Sequence, residues 1–299
     1  RCSYRRKRKR GSYGIVKRVI TATIGLTLLF AVLIFGGVYL FLFLCILCGL
    51  GLKEFAAMLR KKGFNPAMPV VYASGLPIFL AALFNKPYLI LGFLAVFTII
   101  SFLAIMSRNE KATTADTALT ILCMIYGFYL PSHLLLLRGI NSSNLSFFNL
   151  NFFNDGFWFI FIVFLVISIS DIAGFYVGTN FGKHKLCPYL SPKKTIEGAL
   201  GSTILGILAS MGVGYIVGID LLNGFLFGTI TVIAAQLGDL AESMMKRDAH
   251  TKDSGDILPG HGGIMDRSDS YMFTGVVAYY YILYCYPAIK GISSSLGLI

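Results

Sequence analysis

Gly238-Asp239-Leu240-Ala241-Glu242-Ser243-Met244-Met245-Lys246-Arg247 leads into a turn-rich segment ending in Pro259-Gly260-His261-Gly262-Gly263, and then into Ile264-Met265-Asp266-Arg267-Ser268-Asp269. Seven of the fourteen acidic residues of the chain lie between Asp239 and Asp269, interleaved with Lys246, Arg247, Lys252 and Arg267. Long apolar runs flank the stretch on both sides. Charge set inside such sequence is costly in a bilayer and marks function by default. The flanking runs decide the fold class, and the charged stretch between them reads as a reaction centre at the ends of membrane spans.

Composition agrees. Hydrophobic residues make up 56% of 299, charged residues only 13%, and the mean hydropathy is +0.73; an ordinary soluble domain is about a quarter charged. The apolar runs are continuous, which argues against an outer-membrane barrel with its alternating pattern. A net charge of +12 without a soluble domain to present it points to anionic lipid headgroups and anionic substrates, not nucleic acid. Cys45 and Cys48 form a C-x-x-C inside an apolar run with no zinc partners nearby, so the six cysteines read as buried small residues and not as a disulfide framework.

The expected fold is all-α, a polytopic membrane protein with about nine transmembrane helices. They fall near Val19–Phe35, Val38–Leu52, Val70–Phe84, Tyr88–Met106, Thr117–Leu137, Phe157–Val177, Ser202–Val217, Leu221–Leu237 and Ser270–Ile289, with Gly36-Gly37 as a tight turn and 53–69 as a polar loop. Residues 1–18, including Arg5-Arg6-Lys7-Arg8-Lys9-Arg10, form a basic tail, 19–156 the N-terminal transmembrane helices, and 157–299 the catalytic transmembrane region. No small-residue cleavage site follows the first run, so a removed signal peptide is not expected. With the N-terminus in the cytoplasm, 23 of the 26 Lys and Arg lie in that tail or in loops 53–69, 107–116, 178–201 and 238–269; Lys86, Arg138 and Lys290 do not. That asymmetry sets the orientation and gathers every motif loop at one membrane face.

Three groups of residues carry chemistry. Asp239 ends one span and Asp266 begins the next, so both carboxylates are expected at one depth, where Mg²⁺ takes oxygen ligands together with substrate phosphate; the competing reading is helix-end charges paired with Lys246 or Arg267. Asp239, Glu242 and Ser243 share a helix face, and Glu242 serves equally well as an i, i+4 partner of Lys246. Ser191-Pro192-Lys193-Lys194-Thr195-Ile196-Glu197-Gly198, after Gly182-Lys183-His184-Lys185, sets two lysines and a hydroxyl beside a helix start, an arrangement that holds polyphosphate. Asp171 in Ser170-Asp171-Ile172-Ala173-Gly174 is a candidate for a second cation, and His261 among its glycines a donor to phosphate.

The pattern Ser243-x-Met245-Lys246-Arg247-x4-Lys252-Asp253-Ser254-Gly255-x2-Leu258-Pro259-Gly260-His261-Gly262-Gly263-Ile264-x-Asp266-Arg267-x-Asp269 resembles the signature of the phosphatidate cytidylyltransferases, the CDP-diacylglycerol synthases. The upstream segments around Asp171, Ser191 to Gly198 and Gln236 to Ser243 are similar to family segments too, and Ser268 departs from the apolar residue usual there. The resemblance is motif-rich from about 170 to 273 and rests on hydropathy and length before that.

The resemblance implies transfer of the cytidylyl group of CTP to phosphatidic acid with release of pyrophosphate, and metal-binding roles for Asp239 and Asp266. Lys193, Lys194, Lys246 and Arg267 are then expected to neutralise phosphate charge. Ser191, Thr195, Arg247, Lys252, His261, Gly262 and Gly263 are expected in the substrate site. The expected cofactor is Mg²⁺, with a second cation at Asp171. The expected partners are CTP, phosphatidic acid, membrane lipids and a second copy of the chain as a homodimer, without nucleic acid. The expected location is the plasma (inner) membrane with the site cytoplasmic. The rivals are a transporter or channel using intramembrane carboxylates and a CTP-dependent lipid kinase; the CDP-alcohol phosphotransferase pattern is absent, and although Ser191/Lys194 and Ser243/Lys246 match S-x-x-K, the S-D-N and K-T-G boxes of penicillin-binding enzymes are absent too.

Overall fold

The helices run past the hydrophobic segments that announce them. In the computed structural model, which describes residues 23–108, 111–142, 144–145, 153–255, 257 and 262–295, helix α2 spans Gly37–Lys61 and absorbs most of the expected polar loop at 53–69. Leu52, Phe55, Ala56 and Leu59 recur at helical spacing and are buried, so packing carries the helix through Lys53 and Glu54. In the same way α8, Leu221–Asp248, continues eleven residues beyond the apolar run and carries the whole Gly238–Arg247 motif as helix.

The remaining helices are α1 (Thr23–Phe35), α3 (Met68–Leu83), α4 (Pro87–Met106), α5 (Thr114–Arg138), α6 (Asp155–Phe181), α7 (Ile196–Val217) and α9 (Met265–Ser295). Of these nine, seven are long and apolar enough to cross a membrane; α1 and α3 are shorter. That is fewer spans than the nine expected. The 16 residues of α3 reach only about 24 Å, and the start of the first apolar run, Val19 to Ala22, lies outside the described residues, as do the basic tail and His261. Gly36 and Gly37 separate α1 from α2 with positive φ of 58° and 47°, a conformation glycine adopts at little cost. The loop before α7 holds a two-stranded antiparallel hairpin, β1 (Lys185–Cys187) and β2 (Ser191–Thr195), pairing Lys185 with Thr195; hydropathy gave no sign of it.

The polar ends meet. Lys62 pairs with Asp248 at 2.6 Å, Arg108 donates to the Asn65 carbonyl, Asp116 accepts from Asn65 N at 2.6 Å, and Arg247 donates to the Leu190 carbonyl at 3.1 Å. The loops after α2, α4, α6 and α8 therefore share one face. At the opposite ends Arg138 holds the Leu33 carbonyl and the Asn154 side chain at 2.9 and 2.8 Å, and Asp220 caps α8 through Asn223 N at 2.9 Å. Between the two faces α6, α7, α8 and α9 pack closely, and α9 also packs on α5, with Gly275 against Leu134.

Candidate active site

α8 comes close to α9 at Gly238. A Cβ there would lie 2.6 Å from the Asp269 carbonyl oxygen, so only glycine lets the two backbones stand this close. Asp239 follows at once, Glu242 lies one turn further, and Asp269 stands on the facing helix. Carboxylate oxygens of Asp239, Glu242 and Asp269 all lie within 4.8 Å of one another. Both Glu242 oxygens are buried without a well-formed hydrogen bond, although Oε2 is 2.5 Å from Lys246 Nζ. Asp239, Glu242 and Asp269, with Asp266 beside them, outnumber Lys194 and Lys246, the lysines paired with the group, and a buried site does not tolerate that excess of negative charge alone. Hard oxygen donors crowded at this spacing suit a divalent cation such as Mg²⁺.

Asp266 has a different environment. Its Oδ1 is 2.6 Å from Lys246 Nζ, and its Oδ2 accepts from Ser254 N (3.0 Å), Ser254 Oγ (3.1 Å) and Gly263 N (2.9 Å). Gly262, at φ 83°, passes so near that a Cβ would sit 2.9 Å from Oδ2. Asp266 thus gathers the glycine-rich loop, while Glu242 and Asp269 stand around Asp239. Lys246 couples the two groups, since it also pairs with Glu242.

The third part is the β1–β2 hairpin. Lys194 Nζ lies 2.5 Å from Asp239 Oδ2, tying the hairpin to the carboxylates. Beside that pair opens a cavity of about 390 Å³ between α6, α7, α8 and the hairpin, lined by Asp171, Lys193, Lys194, Thr195, Gln236 and Asp239, within the usual range for small-ligand pockets. Its remaining wall is mostly small: Ser170, Gly174, Gly178, Gly198, Ala199, Ser202 and Ala235. A Cβ at Gly198 would lie 2.9 Å from the Gly174 carbonyl oxygen, so backbone and not side chain bounds much of the space. Thr195 caps α7 by accepting from Gly198 N at 3.1 Å, and the helix presents its N-terminal dipole end to the cavity.

The other expected residues divide. Asp171 lies in the cavity wall with Asp239 and Lys194. Ser191 opens β2, next to Lys193 and Lys194. Arg247 holds the backbone of Leu190 and Thr251, a brace between hairpin and loop. Lys252 and Arg267 are exposed. Gly262 and Gly263 wrap Asp266, and Ser268 is buried, donating to the Ile264 carbonyl at 3.2 Å. Sequence reasoning assigned Asp269 no role of its own, and it passed over Glu54, which helical spacing through 52–59 would have drawn out of its supposed loop.

The profile of the cytidylyltransferase family matches residues 16–285. A protein from Synechocystis sp. named phosphatidate cytidylyltransferase is 34% identical over 295 residues, covering 92% of this chain and 99% of that protein. Proteins of the same name from Staphylococcus aureus and Staphylococcus epidermidis are 31% and 32% identical, each covering 86% of this chain and 94% of their own length.

Proposed function

The chain belongs to the cytidylyltransferase family, and we propose that it joins CTP to phosphatidic acid at the membrane surface, in keeping with the relatives named for that activity. An oxygen of the lipid phosphate attacks the α-phosphorus of CTP, the bond from that phosphorus to the bridging oxygen breaks, and CDP-diacylglycerol and pyrophosphate result. The nucleophile is already an anion, so the protein's task is positioning and charge neutralisation, with no strong base needed.

The observation that carries this reading is the cluster of the Asp239, Glu242 and Asp269 carboxylates from α8 and α9, with Lys194 paired to Asp239, at the edge of the cavity. Asp239, Glu242 and Asp269 would hold Mg²⁺, and Asp171 is the candidate for a second cation. Bound there, the metal supplies Lewis-acid neutralisation of phosphate charge. Asp266, whose metal role comes from family resemblance, stands one turn before Asp269 and fixes Lys246. Lys193, Lys194 and the N-terminal amides of α7 bind phosphate. Lys246 and Arg267 balance charge developing on the leaving pyrophosphate. The outward faces of α6 and α7 expose Ile172, Phe175, Leu200 and Ile204, an apolar border along which diacyl chains remain in the bilayer while the headgroup enters.

The lysine and arginine asymmetry supports a cytoplasmic site; the plasma membrane and a homodimer are the expectations for location and assembly. Purified protein given phosphatidic acid, Mg²⁺ and CTP labelled at the α-phosphate should move label into lipid and release pyrophosphate in detergent. CDP with a phosphorylated lipid would instead identify a kinase. Solute flux in sealed vesicles without CTP turnover would identify a transporter.

A further inference from the structure

One carboxylate from the N-terminal half holds both ends of the glycine-rich loop. Glu54 is 5% exposed near the end of α2, and it accepts hydrogen bonds from Ser254 Oγ (3.1 Å), Ile264 N (3.2 Å) and Met265 N (3.1 Å). The last two belong to the start of α9, where N–H groups lack a carbonyl partner one turn back. Ile264, at the N-cap, offers no side-chain acceptor of its own. Glu54 therefore caps α9 from another helix and sets a negative charge at its positive dipole end. Ser254 Oγ lies equally 3.1 Å from Asp266 Oδ2, so a single hydroxyl links the two carboxylates.

The backbone makes room for this contact. A Cβ on Gly255 would lie 2.7 Å from Glu54 Cδ and 2.9 Å from Cγ, and one on Gly263 would lie 2.5 Å from Oε2. Gly255 is thus required by a side chain about two hundred residues upstream, and Gly263 by that side chain together with the Ser254 hydroxyl, which would lie nearer still.

We propose that Glu54 is a positioning residue of the transfer site: it fastens the loop and the first turn of α9 to α2, and so fixes where Asp266, Lys246 and Asp269 stand. The proposal rests on the reading that this cluster performs the transfer. Glutamine is not an adequate replacement, because Oε2 accepts from both Ser254 and Met265 while Oε1 accepts from Ile264; a carboxamide nitrogen would face a donor with a donor.

The test uses the full chain in phosphatidylcholine nanodiscs containing phosphatidic acid. In Glu54→Gln, kcat should fall roughly 10–100-fold, as for lost supports of a catalytic group, with KM for phosphatidic acid unchanged because the α6–α7 wall is untouched. Tryptic cleavage after Lys252, followed by mass spectrometry, should quicken. Ser254→Ala should move both readouts the same way by less. If Glu54→Gln does not assemble, Gly255→Ala, whose Cβ would press first on Glu54, should reproduce both changes. Wild-type kcat and cleavage in Glu54→Gln, or in Ser254→Ala and Gly255→Ala together, overturns the proposal. A wild-type chain that forms no CDP-lipid overturns the function itself; an active wild type with an indifferent Glu54→Gln overturns this inference alone.

Discussion

Lys246 is ion-paired with Asp266 across twenty residues of chain, Nζ to Oδ1 at 2.6 Å, where α8 meets the start of α9. The same ammonium lies 2.5 Å from Glu242, so one cation serves two carboxylates whose side chains are 1% and 11% exposed. Removing one partner of a buried pair costs about 3–5 kcal/mol, because the other charge is left uncompensated. Lys246→Met is expected to lose stability on that scale and to lower kcat by about 10²–10³-fold. Thermal unfolding and label transfer from CTP read the two effects; a variant turning over at the wild-type rate would remove Lys246 from the site.

The split between the two aspartates of α9 is open to a metal titration. Asp269→Asn and Asp239→Asn should raise the Mg²⁺ concentration for half-maximal rate by roughly 10-fold or more. Asp266→Asn should lower the rate with a smaller change in that midpoint, since its oxygens are held by Lys246, Ser254 and Gly263. Equal midpoint shifts in all three would place Asp266 among the ligands.

Gly238→Ala inserts a methyl 2.6 Å from the Asp269 carbonyl oxygen and must push α8 from α9. Overpacking of this kind costs about 1–3 kcal/mol, and here it also separates Asp239 from Asp269. Activity should fall more than stability. Gly212→Ala on α7, where a Cβ meets nothing within 4 Å, serves as the control and should leave both intact. A drop confined to melting temperature in Gly238→Ala would show that helix spacing does not set the site.

At the opposite ends of the helices, burial works to raise the Asp220 carboxyl, but hydrogen bonds from the Asn223 side chain, Ser293 and Asn223 N–H outweigh it and hold the group below its ordinary value. A depressed carboxyl stabilises the fold above its unfolded pKa of about 3.9 and loses that contribution as pH falls through the folded value. Asp220→Ala should cost about 1 kcal/mol as a lost cap at neutral pH, leave CTP turnover alone, and converge with wild type in strong acid. A constant difference in melting temperature across pH would contradict this account.

Hydropathy read the helical class and the placing of most spans, because twenty apolar residues in a row have few other outcomes. The charged ends of those helices were harder. Lys53-Glu54 and Gly238–Arg247 look like loop by polarity, yet both are helix, since Leu52, Phe55 and Leu59 on α2 and the close fit at Gly238 on α8 hold the chain in place. Asp239 stood out as a site residue from its setting alone. That Asp269 and Glu242, more than Asp266, surround it depends on how α8 and α9 face each other, and no spacing along the chain records that rotation. The β1–β2 hairpin was equally silent: Ser191-Pro192-Lys193-Lys194-Thr195 reads as a basic loop, and its pairing comes from β1 across the turn.

The bond from Ser254 to Glu54 also sets an order in time. Glu54 leaves the ribosome two hundred residues ahead of Ser254, roughly 10–40 s earlier at about 5–20 residues per second. Until then the Glu54 carboxylate has none of the three donors that it meets in the finished fold. Assembly of the site is therefore a late event that follows insertion of the C-terminal helices, and the earliest helices lie waiting for the last.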